Sequence, residues 1–352
     1  MADLHLLTPE KILSIPVDYP ERLYCGDCEQ DIRKIYKKLS SLWHPDKHIG
    51  SAIDTAPVFA HVKALYEKAV KKIEEGSWNL GQVVLFTSIE NKKYQVKYQS
   101  SFSFDLGQCY ISSKFVTYVI DKENEDLMIR GIKAVSSIRY ADDQMKKNFQ
   151  TYVPQIHAKI ETKDKFIIVV NKLSSFLVLK DVLHHFGGKM PVKHAAWIIS
   201  SMYNLACFTH YNHLMHGGFS LDNYFICPET HEGSLIGGWW FTHNKDESLV
   251  ALNKEALSVC PMHIINSKKA GHMLDLELIK LVGRQLLGDS SGVYLSKDKS
   301  IPEPIVQFLR DGAGNNTIKE YEAWHNVLLK SYGKRSFTEM KLTEHNLYST
   351  GE

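Results

Sequence analysis

Pro45 stands between two stretches of chain whose apolar residues recur at helical spacing, and neither helix can continue through it. A proline inside a helix removes a backbone hydrogen bond and collides with the preceding turn, and the residue before it avoids the helical region. Upstream, Ile32, Ile35, Tyr36, Leu39 and Trp43 share one face, with Arg33, Lys34, Lys37 and Lys38 on the other. Downstream, Phe59, Val62, Leu65, Tyr66, Ala69 and Ile73 form a second apolar stripe, which starts at Thr55-Ala56-Pro57 and stops at Gly76. Joined by the loop His44-Pro45-Asp46-Lys47, extended by Gly50-Ser51, the two stripes are buried by folding back as a helical hairpin. Trp43, Phe59 and Tyr66 would hold the base of that loop. A short helix is expected at Thr8-Pro9-Glu10, and Asp27-Cys-Glu-Gln30 reads as an aspartate form of the capping box.

Three segments of this region occur in order: Ile35-Tyr36-Lys37-Lys38-Leu39, His44-Pro45-Asp46-Lys47 and Phe59-x-x-Val62-x-x-Leu65-Tyr66. Together they resemble the J domain of the DnaJ co-chaperone family. The resemblance implies that the basic helix and the His44-Pro45-Asp46 loop bind a heat-shock 70 class chaperone and stimulate its ATP hydrolysis. Arg33, Lys34, Lys37 and Lys38 would then supply attraction to an acidic groove, acting mainly on association rate and orientation. Asp46 would make the decisive charged contact. Two departures stand out: no Gly/Phe-rich linker follows, and no cysteine-rich zinc domain is present. Cys25-Gly-Asp-Cys28 is a lone pair where a zinc site takes about four ligands, so it reads as a loop between the first two helices. Glu29 and Asp31 reduce the basic character of the second helix.

After Trp78 the period changes. The segments 102–107, Phe115 to Ile120, Asp126-Leu-Met-Ile-Arg-Gly-Ile132, Ile156 to Ile160 and Phe166 to Val170 read as five strands separated by turn residues. Longer periods follow, with helices expected over Met190 to Phe208, Leu276 to Leu287 and Pro304 to Leu309. Strands followed by helices describe a small α+β lobe and then a helical lobe.

This order resembles the protein-kinase fold. His216-Gly-Gly-Phe-Ser-Leu-Asp-Asn223 is similar to the kinase catalytic loop, Ser234-Leu-Ile-Gly-Gly-Trp239 falls where the metal-binding Asp-Phe-Gly should be, and Asp275 fits the aspartate near the start of a large buried helix. Phosphoryl transfer needs one carboxylate for the substrate hydroxyl and another for magnesium. This chain has Gly218 at the first position and Gly237, or Gly238 in the adjacent register, at the second. The phosphate-cradling loop keeps one glycine, Gly107. The phosphate-pairing lysine aligns with Arg130, or with Lys133 in another register, and no glutamate partner stands out over 142–148. Asn223 survives, where it reads as an amide that braces the loop. The resemblance therefore implies a pseudokinase.

The fold expected is multidomain, α and α+β: a J-domain helical hairpin over residues 1–77, a connector over 78–94, a bilobal protein-kinase-like domain over 95–335 and a loosely attached polar tail over 336–352. A net charge of +2 gives no electrostatic signature of nucleic-acid binding, six scattered cysteines point to a reducing compartment, and no membrane span is evident. A cytoplasmic co-chaperone is expected, with no catalytic residue, metal or cofactor of its own. Its partners would be a heat-shock 70 class chaperone at the J domain and a protein client at the kinase-like domain. The alternative is an atypical kinase, or a nucleotide-binding regulator coupled to a chaperone, that uses other carboxylates such as Asp222 or Asp246. His184, His185, His194, His210, His213 and His216 partly follow i, i+3 spacing but read as exposed or packing residues.

Overall fold

The computed structural model describes residues 8–17, 19–20, 23–24, 29–48, 54–74, 78, 82–334 and 336–348, and the chain divides into two units, Met1–Gln99 and Ser100–Glu352. In the first unit α1 (Pro9–Leu13) begins where the Thr8 hydroxyl accepts the Lys11 N–H at 3.4 Å. Helices α2 (Glu29–Leu42) and α3 (Ala56–Glu74) flank a 3-10 turn at Pro45–His48. They run antiparallel: Tyr36 stacks on Tyr66 with ring centroids 4.1 Å apart, while His44, further along, meets Phe59 at 5.3 Å. Ile12, Ile32, Leu39, Val62, Leu65 and Ala69 are fully buried between the helices, and Trp78 joins them. Each large aliphatic among these contributes about 1.5–3 kcal/mol by leaving water. Cys25 to Cys28, the start at Asp27, Gly50-Ser51 and Gly76 lie outside the described residues.

The stretch expected as a connector carries paired structure instead. Strands β1 (Gln82–Thr87) and β2 (Lys93–Tyr98) form an antiparallel hairpin in the register Gln82↔Tyr98 to Thr87↔Lys93. The turn between them holds Asn91 at φ 61°, a left-handed conformation that asparagine tolerates. Residues 93–98 alternate exposed and half-buried, the period-2 pattern of a strand with one covered face.

The second unit opens with β3 (Ser100–Phe104), β4 (Gly107–Ile111) and β5 (Phe115–Asp121), continues through α4 (Glu125–Ser136) and α5 (Asp143–Phe149), and returns with β6 (Gln155–Glu161) and β7 (Lys165–Asn171). The five strands make one antiparallel sheet in the order β3-β4-β5-β7-β6. The segment Asp126 to Ile132, expected as a strand, is the body of α4. Glu125 and Asp126 in its first turn favour the positive helix N-terminus, and Met128, Gly131 and Ala134 are buried at intervals of three.

The chain then enters a mainly helical half. Its elements are β8 (Leu177–Val178), α6 (Leu179–His185), α7 (Val192–Tyr211), β9 (Leu214–Met215), β10 (Tyr224–Cys227), β11 (Glu232–Leu235), β12 (His243–Asn244), α8 (Lys254–Val259), α9 (Met262–Ser267), α10 (Met273–Leu286), α11 (Glu303–Arg310), α12 (Thr317–Tyr332) and α13 (Glu344–Tyr348). Helices α7 and α10 are its core; Ile198, Ile199, Met202, Leu276, Leu278 and Ile279 are all fully buried. No described helix is long and apolar enough to cross a membrane.

The segment 336–348 is not a loose tail. Met340 and Leu342 are buried in the core of the helical half, and Leu347 and Tyr348 pack against it. Glu344 accepts the Ser113 hydroxyl at 2.8 Å and lies 3.8 Å from the Lys172 ammonium, which is wholly buried and donates to the Phe176 carbonyl at 2.9 Å. Burial pulls the Lys172 ammonium down to about 8. Leu342→Ala should therefore cost about 2–4 kcal/mol in denaturant unfolding. A loss under about 0.5 kcal/mol, the range of ordinary surface changes, would put Leu342 outside the core.

Candidate functional site

Two places carry the residues singled out from the sequence. In the first unit, Arg33, Lys34, Lys37 and Lys38 are all exposed on α2, opposite the buried Ile32 and Leu39. Lys34 pairs with Asp31 at 3.2 Å, so part of the basic face is neutralised at its start. The turn after α2 is held from within: the Lys47 N–H donates to the His44 carbonyl at 3.0 Å, the Lys47 ammonium to Ser41 Oγ at 2.6 Å, and His48 Nε2 lies 2.9 Å from the Leu42 carbonyl. The Asp46 N–H donates to His44 Nδ1 at 3.3 Å. The His44 ring is thereby fixed between this amide and Phe59. The Asp46 carboxylate is left 83% exposed, 3.7 Å from the His44 ring nitrogen. The loop thus holds the Asp46 backbone and presents its carboxylate to solvent at the end of a basic helix.

In the second unit the site is built around Asp275 on α10, which is 2% exposed. Its two oxygens accept the backbone N–H groups of His216 at 2.8 Å and Gly217 at 2.7 Å. Burial pushes this carboxyl up to about 7, and the two N–H donors oppose the rise. The His216 ring is fully buried against Trp239, with centroids 4.8 Å apart, and its Nδ1 accepts the Gly218 N–H at 3.1 Å. Burial lowers the imidazole to about 3, so it stays neutral across the physiological range. Asn223 Nδ2 donates to the Gly218 carbonyl at 2.9 Å, and the Asn223 carbonyl accepts from both Ile236 and Gly237 at 3.1 Å. Asn223 therefore braces the loop internally through its side-chain amide and ties it to residues 236 and 237 through its backbone carbonyl.

The glycines at the two expected carboxylate positions have no room for side chains. A Cβ at Gly218 would lie 2.9 Å from the Gly238 carbonyl oxygen, and one at Gly237 would overlap Asn223 Oδ1 and come 2.7 Å from Tyr118 Oη. Gly238, at φ +80°, would bring a Cβ to 2.7 Å from Asn223 Nδ2. Aromatic rings pack beside Gly237. Tyr118 on β5 packs edge-on against Trp240 at 5.2 Å and against Phe104 at 5.5 Å, and Leu106, Phe225 and Ile236 complete the cluster. Gly131 of α4 lets Trp240 in, since a Cβ there would lie 2.7 Å from its ring. The Tyr118 hydroxyl is buried and finds no hydrogen-bond partner among the described residues.

Arg130 does not sit on a strand facing this space, as the expected phosphate-pairing role requires. It lies on α4 and pairs with Glu247 at 2.8 Å, and Lys133, its alternative, is on the same helix. Both residues lie in a segment that is helical where a strand was expected. Residues of β5, above all Tyr118, face the loop instead. Gly107 serves the sheet: it begins β4 at φ +148°, and a Cβ there would overlap the Val119 carbonyl. Asp222 pairs with Lys180 at 3.0 Å, and Asp246 is exposed in a left-handed turn. His210 stacks on His272 at 3.9 Å and contacts Thr317 through Nδ1 at 2.8 Å; no group of three or more metal-binding side chains forms among the described residues.

No family model matches the chain, and no curated protein matches it. Among solved structures, the crystal structure of the BubR1 kinase domain aligns over 71% of this chain and 83% of that chain, at 12% identity and a TM-score of 0.48.

Burial also lowers His272, at the start of α10, to about 4, with the neighbouring His210 adding repulsion. A histidine whose folded pKa lies below its unfolded value near 6.5 contributes stability above that value and loses it as pH falls. Asp275, raised in the folded state, contributes the opposite trend between about 4 and 7. His272→Phe should therefore flatten the loss of thermal midpoint between pH 6.5 and 4 relative to the parent chain. An equally steep loss in the variant would contradict the assignment.

Proposed function

We propose that this chain is a J-domain co-chaperone: residues 33–46 recruit a heat-shock 70 class ATPase and stimulate it. In this reading residues 100–348 are a kinase-like module that transfers no phosphate and binds a protein client. The observation that carries the first half is the solvent-facing Asp46 carboxylate, carried on a braced loop at the end of the exposed basic face of α2. A loop braced by its own His44, Lys47 and His48 spends little further entropy on docking, and that is how rigid recognition elements gain affinity. The charges on Arg33, Lys37 and Lys38 would steer an acidic partner surface into place.

The second half is supported by chemistry that the module lacks. The strand order, the His216 to Asn223 loop and its anchorage by Asp275 agree with a kinase-like frame. Yet no carboxylate stands at 218, 237 or 238, and the Tyr118 hydroxyl would lie 2.7 Å from a Cβ at 237. A neutral, buried His216 offers no acid or base at neutral pH.

The test is single-turnover ATP hydrolysis by purified heat-shock 70 class chaperones with the full chain added. Asp46→Asn leaves the exposed loop's shape unchanged and removes the charge, so stimulation by the parent should be lost in the variant, with docking weaker by about 2–5 kcal/mol. Absence of stimulation by the parent chain across such chaperones would overturn the co-chaperone reading, as would equal stimulation by the variant.

A further inference from the structure

The helical half of the second unit holds a cavity of about 560 Å³, and none of its lining residues belongs to the His216 to Asn223 loop. Its size lies within the range of about 300–1,000 Å³ typical of small-molecule sites. The walls come from α7, α12, the β10–β11 turn and the chain at 336–338. On one side three rings form a ladder: Trp197 lies parallel to His231 at 4.3 Å, and His231 to Phe337 at 4.0 Å. Phe337 ends that ladder, stacked on His231 by one face, and is 65% exposed.

The polar groups around this π surface are unbalanced in sign. Glu232, the one carboxylate in the lining, already accepts the Tyr152 hydroxyl at 3.0 Å and the Thr230 hydroxyl at 2.9 Å. Lys193 and Lys334 also line the cavity, and neither has a carboxylate partner among the described residues; Lys193 has only the Tyr332 ring, 5.9 Å away. Ser201 Oγ accepts the Tyr224 hydroxyl at 2.8 Å, which leaves its own proton to donate. A flat aromatic face, two uncompensated ammonium groups and a hydroxyl donor are complementary to a planar ring that bears an anion.

We propose that this cavity binds a small aromatic carboxylate, its ring stacked on the free face of Phe337 and its anion directed to Lys193. The proposal is independent of the chaperone reading and concerns residues that reading does not use.

Calorimetric titration of the full chain with 2-naphthoate tests it, with 2-naphthalenemethanol and 2-naphthylmethylamine as neutral and cationic probes of the same ring. Saturable one-site binding of 2-naphthoate is expected, tighter than either control by about fivefold, the scale of one exposed charge pair. Phe337→Ala should weaken 2-naphthoate by about tenfold, the scale of a stacked ring pair. Lys193→Ala should erase the preference for carboxylate over alcohol. Both side chains are at the surface, so unchanged circular dichroism and thermal midpoints are expected in the variants. No saturable binding, undiminished binding by Phe337→Ala, or equal binding of the alcohol or amine by the parent chain would overturn the proposal.

Discussion

The Asp275 carboxylate sits where water cannot reach it and accepts two backbone N–H groups from consecutive residues of one loop. A buried acid is costly unless its oxygens are hydrogen-bonded, so the helix and the loop constrain each other. With His216 and Gly217 held, the His216 ring turns under Trp239, and Asn223 reaches back to the Gly218 carbonyl and forward to residues 236 and 237. The close approach of Gly218, Gly237 and Gly238 follows from those bonds. Gly218 and Gly238 meet backbone to backbone, and Gly237 lies against the side chains of Asn223 and Tyr118, so a side chain at any of the three would displace its neighbours.

That packing extends to the side chains around the loop. The Tyr118 hydroxyl lies beside Gly237, Trp240 and Phe104 pack against the Tyr118 ring, and Gly131 leaves room for the Trp240 indole. The hydroxyl of Tyr118 is left without a partner, a cost that the surrounding apolar contacts offset. Around these glycines the chain is packed as hydrophobic core.

Much of the frame was legible in the sequence. The stripes on 32–43 and 59–73 have the helical period and a proline between them, so the hairpin needed no long-range information. The loop 216–223 and Asp275 were readable because they recur in order around a long apolar helix. What was not legible depended on tertiary contact. The segment 126–132 is short and apolar, so strand and helix could be told apart only by the acidic first turn and by the spacing of Met128, Gly131 and Ala134. Hydrophobic alternation placed Tyr118 on a strand but could not show that its ring would face Gly237. The residues 336–348 look polar in sequence, and only the fold reveals that Met340 and Leu342 enter the core while Glu344 reaches a buried lysine.

The proposal that this module transfers no phosphate rests on the close packing around Gly237 as well as on the absence of carboxylates there. It is tested most directly by Gly237→Asp, with unfolding free energy and magnesium-dependent ATP hydrolysis measured on the same protein. The account predicts a loss of about 1–3 kcal/mol in stability, the scale of overpacking, and no gain in hydrolysis. A variant as stable as its parent that hydrolyses ATP would show that the cleft was open and lacked only its carboxylate.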